Sequence, residues 1–484
     1  MKQLNRANFQ YPKYPSKIMQ FGEGNFLRAF FDWQIDLLNQ QCDLGAGVSI
    51  IRPIDYDTLP LLNAQDGLYT TIVRGIDEAG KAVQQTRVIS CINEEIPVYQ
   101  QFDRYLALAE DANIELVVSN TTEAGIEFIR EDKLRDKPAK AFPAKLTQWL
   151  YHRYQHFAGA ADAGVILLPC ELIDYNGEKL KEIVLQYCDL WQLEAGFVEW
   201  LQTANEFCST LVDRIVTGFP RDEHAALQTE FGYADNFMVT SEYFHLFVIQ
   251  GSERIKQFLK LEQSDLNILV VDDIAPYKQR KVAILNGAHT AMVPLAYLAG
   301  LDAVKETVED PLFSRYVQQF IFNEVIPTLN FPADEISEFA NAVITRFQNP
   351  YIHHLLISIS LNSMTKFTTR ILPQLLQYHS QTGKLPALMI AALAGQILFY
   401  RGIRGDEQIP LKDDEFWLSK FSSLWQQYQQ NELPLYGVVE SVLAESEHWG
   451  QDLNQLSGMT AAVTDSLDKL LHEGVRNTLS ELLV

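Results

Sequence analysis

An α/β half followed by an all-α half is the architecture these residues predict, and three observations predict it. Short apolar runs, each ending in a glycine or polar turn, recur through the first 275 residues; strands alternating with helices in this way mark a parallel sheet. Beyond Pro276 almost every apolar residue falls at helical spacing. Between the two, PYKQRKVAILNGAH at 276–289 sets Lys281, Asn286 and His289 into an otherwise apolar helix. The expected domains are therefore residues 1–275, carrying the sheet and some extra strands, and residues 276–484, helical and carrying the catalytic groups.

The 484 residues, 47% of them hydrophobic, are enough for two or three packed domains. No apolar run reaches the roughly 18 residues that span a bilayer. The opening MKQLNRANFQYPKYPSK has no apolar signal core, so a cytoplasmic protein without a membrane partner is expected. The five cysteines, at 42, 91, 170, 188 and 208, form no C-x2-C pair and argue against a disulfide framework or a cysteine zinc site. A net charge of −23 disfavours nucleic acid as a partner, and an anionic substrate needs local cations to overcome that field. The absence of G-x-S-x-G, H-E-x-x-H and G-x4-G-K-[ST] removes the commonest hydrolase and nucleotide-triphosphatase readings.

Taken in order, KIMQF at 17–21 is the first strand, Gly22-Glu23-Gly24-Asn25-Phe26-Leu27-Arg28 turns the chain, and FFDWQIDLLNQQ has helical spacing. Strand, glycine turn and helix open a Rossmann-type dinucleotide-binding unit: glycines let the backbone approach a pyrophosphate, and the helix start supplies free N–H groups. Phe21, Gly22, Gly24, Asn25, Phe26 and Arg28 are thus candidate cofactor contacts. Leu27 replaces the third glycine of the full motif, and a plain tight turn is the rival reading. The strand at 47–51 leads to Arg52, with Asp55 and Asp57 beyond it. An acid here binds both ribose hydroxyls of NAD and repels the 2′-phosphate of NADP; a solvated loop acid is the plainer alternative. Residues 68–75 and 86–91 read as antiparallel strands joined through Gly80, and 114–119 as a buried strand. The latter ends in the polar turn Asn120-Thr121-Thr122-Glu123, and the carboxyl ends of such strands are where ligands sit; Asn120, Thr121 and Glu123 are candidates on that ground. A strand at 165–168 follows, and Asn176-Gly177 turns the chain into a charged helix near 178–190. Asp213-Arg214 is a candidate pair or a local surface one. Residues 267–271 form the last clear strand.

On a regular α-helix His289 falls about 80° from Lys281, and Asn286 about 140° from it, so the three share one arc. Apolar surroundings lower a lysine's pKa toward the range useful for base chemistry. A neutral lysine takes a proton from an alcohol, and an amide polarises the resulting oxygen. A snorkelling lysine, a capping asparagine and a satisfied core histidine fit the same spacing. Pro294 is expected to kink this helix or end it early. Helical periods follow at 303–327, 334–347, 351–362, 384–401, 414–430, 438–445 and 460–483. Lys366 and Arg370, in MTKFTTR, are placed to bind a carboxylate or to snorkel at the surface. His353-His354 and the pair His152/His156 raise the question of metal; the second pair lacks a third ligand nearby, and no metal is expected.

In order and nearly end to end, FGEGNFLRAF (21–30), QDGLYT (65–70), TTEAGI (121–126), CELIDYNG (170–177), LVDRI (211–215), K-x4-N-x2-H (281–289) and TKF (365–367) resemble the polyol-specific long-chain dehydrogenases of the mannitol dehydrogenase family. That resemblance implies a Rossmann-type domain followed by a helical one, NAD as cofactor, no metal and a lysine base. Lys281 matches the base, Asn286 an oxyanion amide, and His289 an imidazole that helps hold the substrate. Asp213 and Lys366 match substrate-site groups, and Asp55 the NAD-selecting acid. Within the family, PCELIDYNG and FCSTLVDRIVTG resemble a branch acting on sugar acids. This implies a hexuronate or aldonate substrate, D-altronate interconverting with D-tagaturonate by hydride transfer; reduction of fructuronate to D-mannonate, or mannitol-type polyol oxidation, is the alternative. The chain departs from the mannitol enzymes at Leu172, where they carry a second oxyanion amide that Asn176 is a candidate to replace. It departs again at Lys278, where they carry an acid; an added cation lowers the Lys281 pKa and attracts an anion, with Arg370 beside Lys366 for the carboxylate. A silent sugar-acid sensor is disfavoured by the intact lysine motif, and a zinc dehydrogenase by the missing cysteine ligands. A monomer or small homo-oligomer is expected.

Overall fold

The computed structural model describes residues 1–55, 60–77, 79–121 and 125–483. The chain divides into two compact units, Met1–Asp77 with Val83–Ile274, and Glu78–Ala82 with Ala275–Val484.

In the first unit, strands Ser16–Phe21 (β1), Gly47–Arg52 (β2), Ile92–Pro97 (β3), Leu116–Ser119 (β4), Ile166–Pro169 (β5) and Glu206–Phe207 (β6) form a six-stranded sheet. Their order is β3-β2-β1-β4-β5-β6, with every neighbouring pair parallel. This is the order of doubly wound dinucleotide folds, and the winding reverses between β1 and β4. Both faces are covered, which is why β2, β4 and β5 are buried along their whole length. Alternate residues feed two cores. Ile18, Leu116, Val118, Ile166 and Leu168 pack with helix Phe31–Gln41, while Met19, Phe21, Val117 and Leu167 pack with helices Phe142–His156 and Asn176–Leu190. A three-stranded sheet (Ser209–Asp213, Leu246–Gln250, Ile268–Val271) and a four-stranded one (Val216–Gly218, Val239–Glu242, Tyr69–Ile76, Ala82–Ile89) complete the unit.

Among the described residues from Ala275 onward, the regular elements of the second unit are helices apart from the small hairpin Ile403–Arg404 with Glu407–Gln408 and a bridge of Ala303 with Leu355. Its centre is a pair of packed helices, Gly287–Leu298 and Ala387–Phe399, the latter buried from Leu388 to Phe399. Glu324, 6% exposed, closes that helix: its carboxylate accepts the N–H groups of Leu388 and Met389 at 2.8 and 2.9 Å. Burial raises its pKa to about 7 against those two bonds.

Four expectations are corrected here. The helix from Gly287 runs through Pro294 to Leu298, because close packing on all sides outweighs one missing N–H. The period at 303–327 is broken where Asp310 caps a new helix beginning at Pro311, accepting from Leu312 and Phe313 N–H. The last period breaks at Gly474, φ +85°. Residues 351–362 are helical only at Leu356–Ile359, since His354 carbonyl accepts from Val304 N–H at 3.0 Å and Leu356 N–H donates to Asp302 at 2.9 Å. Backbone groups satisfied by a neighbouring segment have no need of a helix.

Candidate active site

The first cluster lies at the carboxyl ends of β1, β2 and β4. Gly22 leaves β1 with φ +109°, its N–H donating to Ile51 carbonyl at 3.0 Å, and a Cβ there would stand 3.2 Å from Asn120 carbonyl. Both constraints demand glycine. A Cβ on Gly24 would meet nothing within 4 Å, so the turn keeps open space over its backbone, as a pyrophosphate requires. Gly24 caps helix Asn25–Ala29, and Leu27 is buried in the core. Arg28 braces the turn from within, donating to Glu23 carbonyl (3.0 Å), Asn25 Oδ1 (2.7 Å) and Phe237 carbonyl (2.6 Å), with Tyr69 beneath it. The Phe21 ring is buried against Tyr105 and Phe142, and Phe26 stacks on Phe30. The aromatic candidates therefore shape the turn, and the glycines present its backbone.

At the end of β2, buried Arg52 pairs with Glu95 at 2.6 Å and lies 3.8 Å from Glu23. Glu95 also accepts the Leu62 N–H at 2.6 Å, and burial raises its pKa. Asp55 is exposed beyond the strand and accepts from Gln100 at 2.8 Å; Asp57 lies outside the described residues. After β4, Asn120 donates to Cys170 carbonyl at 2.6 Å, and Thr121 offers its N–H and hydroxyl to Glu171 at 2.9 and 3.0 Å. Glu171 also accepts from Ser119 at 3.1 Å, and burial raises its pKa against these bonds. Nothing in the spacing marked Glu95 or Glu171 as braces. Glu123 lies outside the described residues.

Asn176 is the first residue of its helix and 1% exposed. Its amide donates to Glu171 carbonyl at 3.0 Å and accepts the Thr210 N–H at 2.8 Å. Both ends are engaged inside the unit, so Asn176 braces the start of its helix; Leu172, by contrast, is 68% exposed. Asp213 and Arg214 are not a local surface pair: they are 5% and 6% exposed. Arg214 turns to the carbonyls of Glu242 and Ala29 at 2.9 and 2.8 Å and lies over Trp33, and burial presses its pKa down to about 9.

The second cluster is built on helix Ala275–Lys281, a π-helical turn Val282–Asn286, and helix Gly287–Leu298. The π turn corrects the regular-helix arithmetic. Where a turn closes by i→i+5 bonds, the fifth residue takes the place that the fourth holds in an α-helix. Asn286 then falls only about 40° from Lys281, and His289, three α-helical steps on, returns to the same side. The insertion draws the three groups closer together than an unbroken helix would. Arg280 sits over the rings of Tyr277, Phe331 and Phe339 at 5.1, 4.7 and 4.3 Å, fixing the rotation of this helix. Lys278 and Lys281 are half-buried along it.

His289 retains some exposure as a residue, but its Nε2 is out of solvent and without a hydrogen-bond partner. Its ring lies 4.5 Å from that of Phe347 and 5.3 Å from that of His354. Burial, then His354, Arg346, Arg370 and Lys366, hold its pKa well below the usual imidazole value. Lys366 and Arg370 stand one turn apart on helix Ser363–Arg370. Lys366 donates to Ile359 carbonyl at 2.7 Å, and Arg370 to the Thr290 hydroxyl at 3.3 Å, which itself donates to Asn286 carbonyl at 2.9 Å. Burial and then Arg370 lower the Lys366 pKa; burial lowers that of Arg370. Arg346 carries no local motif in the sequence, and His354, a metal candidate by its pairing with His353, stands beside His289. Among the described residues no three His, Cys, Asp or Glu are grouped to hold a metal ion, and His152 instead meets Glu110 at 2.9 Å. No described helix is long and apolar enough to cross a membrane.

Residues 16–263 match the mannitol dehydrogenase Rossmann domain, and residues 273–471 the mannitol dehydrogenase C-terminal domain. Altronate oxidoreductases of Yersinia pestis and of Pectobacterium carotovorum subsp. carotovorum are each 56% identical, over 476 and 481 residues, covering 98% of this chain and 99% of theirs. The ternary complex of Pseudomonas fluorescens mannitol 2-dehydrogenase with NAD and D-mannitol shares the fold at 21% identity, with a TM-score of 0.68 over 99% of both chains.

Proposed function

The chain belongs to the mannitol dehydrogenase family of oxidoreductases, and from that premise we propose that it is an NAD-dependent, metal-independent tagaturonate reductase, interconverting D-altronate and D-tagaturonate. One observation carries the choice of an acid: in a chain of net charge −23, the buried, unpartnered His289 Nε2 lies among Lys366, Arg370 and Arg346. A sugar acid supplies both the hydroxyl that such an imidazole lacks and the negative charge that such a cluster attracts. A neutral polyol supplies only the hydroxyl. Relatives bearing the name altronate oxidoreductase support the same substrate.

In this reading residues 1–275 hold the cofactor and residues 276–484 carry the base and the acid-binding groups. Support for a dinucleotide comes from the Gly22 approach to Asn120 and the open space over Gly24. Gly22, Gly24 and Asn25 would hold its pyrophosphate, Arg52 and Asp55 its adenosine ribose, and Asn120 and Thr121 the neighbouring loop. NAD, when bound, accepts the hydride in oxidation and NADH returns it in reduction. The Lys281 amine takes the proton of the reacting hydroxyl, and the Asn286 amide stabilises the developing alkoxide. His289 donates to a sugar hydroxyl, Asp213 accepts from one, and Lys366 with Arg370 holds the carboxylate, Lys278 adding to the field. In reduction Lys281, as ammonium, gives the proton back.

NADH oxidation with tagaturonate, fructuronate and fructose side by side, with and without chelator, tests the reading. Strong preference for tagaturonate, unchanged by chelator, is expected. Preference for fructuronate or fructose overturns the substrate while keeping the base, and loss of activity with chelator overturns metal independence.

A further inference from the structure

We propose that His354 is a substrate-contacting residue that selects sugar acids over neutral sugars, its ring presented beside Lys366 and His289 by an extended segment. The proposal rests on the reading of the second unit as the acid-binding half and adds a residue that the reading does not use.

The position is held by backbone. Val304 N–H donates to the His354 carbonyl at 3.0 Å, and two residues on Leu356 N–H donates to Asp302 at 2.9 Å. A side chain carried on such a ladder has little freedom to drift. The ring stands edge-on to that of His289, with centroids 5.3 Å apart and planes at 77°, while Phe347 lies 4.5 Å from His289. His289 is thus flanked by an apolar ring and by a second imidazole.

The His354 ring is half-buried and hydrogen-bonds to no described residue. Its two ring nitrogens keep contact with solvent and are open to a ligand. As a ligand contact it fits. Burial, then Lys366, keep the ring below its ordinary pKa, so it is neutral at pH 7 and offers one N–H donor. A carboxylate accepts that N–H and at once offsets the charge of Lys366 beside the ring and of Arg370 one turn further along the same helix. A neutral sugar can take the hydrogen bond but leaves those cations unanswered, which is the basis of the selection.

The test uses the full-length enzyme with NADH and three variants, His354→Asp, His354→Phe and His354→Gln, with melting temperatures measured alongside. His354→Asp sets an anion against the carboxylate and should raise KM for tagaturonate at least about tenfold, with kcat changed less and the preference over fructose falling in step. His354→Phe removes the donor and should raise KM several-fold. His354→Gln keeps an N–H and should stay near wild type. Where the Asp variant does not fold, the Phe and Gln pair decides alone. Unchanged KM in the Asp and Phe variants, or equal loss with tagaturonate and fructose, overturns the proposal. Wild type inactive with every sugar acid overturns instead the functional reading beneath it, so the two failures are distinguishable.

Discussion

In the first unit three charged groups beside the glycine turn are answered by the unit itself: Glu171 by Ser119 and Thr121, Arg28 by three oxygen acceptors, Arg52 by Glu95. In the second, Lys366 and Arg370 hydrogen-bond to one carbonyl and one hydroxyl, Asp413 is the carboxylate whose field reaches Lys366, and His289 Nε2 meets nothing. A region finished by internal hydrogen bonds is set before its ligand arrives, so its side chains serve stability and position together. A region with clustered cations and an orphaned imidazole nitrogen is costly to fold, and under the proposed function an anionic substrate offsets that cost. The difference separates residues whose loss should unfold the protein from residues whose loss should spare the fold and harm recognition.

Arg28→Met breaks the comparison most sharply on the first side. It leaves the half-buried carbonyls of Glu23 and Phe237 without their donor, at up to about 1–3 kcal/mol each. Denaturant melts should show a loss of about 3 kcal/mol; a loss below about 1 kcal/mol would mean that the turn is not held as described. Arg370→Met and Lys366→Met are the counterpart. Each should raise KM for tagaturonate by about ten- to a hundredfold, since a hydrogen bond to a charged group contributes about 1.5–3 kcal/mol. Melting temperature should hold or rise, because a crowded cation is gone; a drop in stability with KM intact would reverse their assignment. Glu171→Gln keeps one acceptor and should cost about 1 kcal/mol. It should raise KM for NAD a few-fold and leave KM for tagaturonate alone, as steady-state titration of each substrate would read.

The smallest expected effect is one of pH. His289 and His354 are both held below the ordinary imidazole pKa of 6.5. Unfolded imidazoles bind protons below that value that the folded ones refuse, so stability is full above pH 6.5 and is lost as pH falls below it. His354→Gln should make that decline shallower in melts between roughly pH 5 and 7.5; an unchanged slope would show the ring to be unperturbed.

Much of this was legible because it rests on local rules. β1, the Gly22–Gly24 turn and the helix after it follow from apolar runs and the backbone freedom of glycine, and the Lys281 helix from its composition. What could not be read depends on long-range partners. The π turn at Val282–Asn286 has no period of its own in a run of apolar residues, yet it decides how Asn286 stands to Lys281. Asn176 looked like a free amide, and only the fold brings Thr210 to it, 34 residues away. Glu95 and Glu171 resemble any strand-end acids until Leu62, Ser119 and Thr121 arrive around them. Arg346 and His354 come from separate segments and acquire meaning only beside His289. Pro294 argued for a break that packing overrode.

The most direct test of the central claim is the rate of hydride transfer in a single turnover, followed by NADH absorbance with tagaturonate, in wild type and Lys281→Ala. A base acting in the transition state predicts a rate lower by at least about 10³-fold with tagaturonate affinity little changed. A rate within about tenfold of wild type, or a loss confined to affinity, would contradict the assignment of Lys281 and with it the reading of the helix around it.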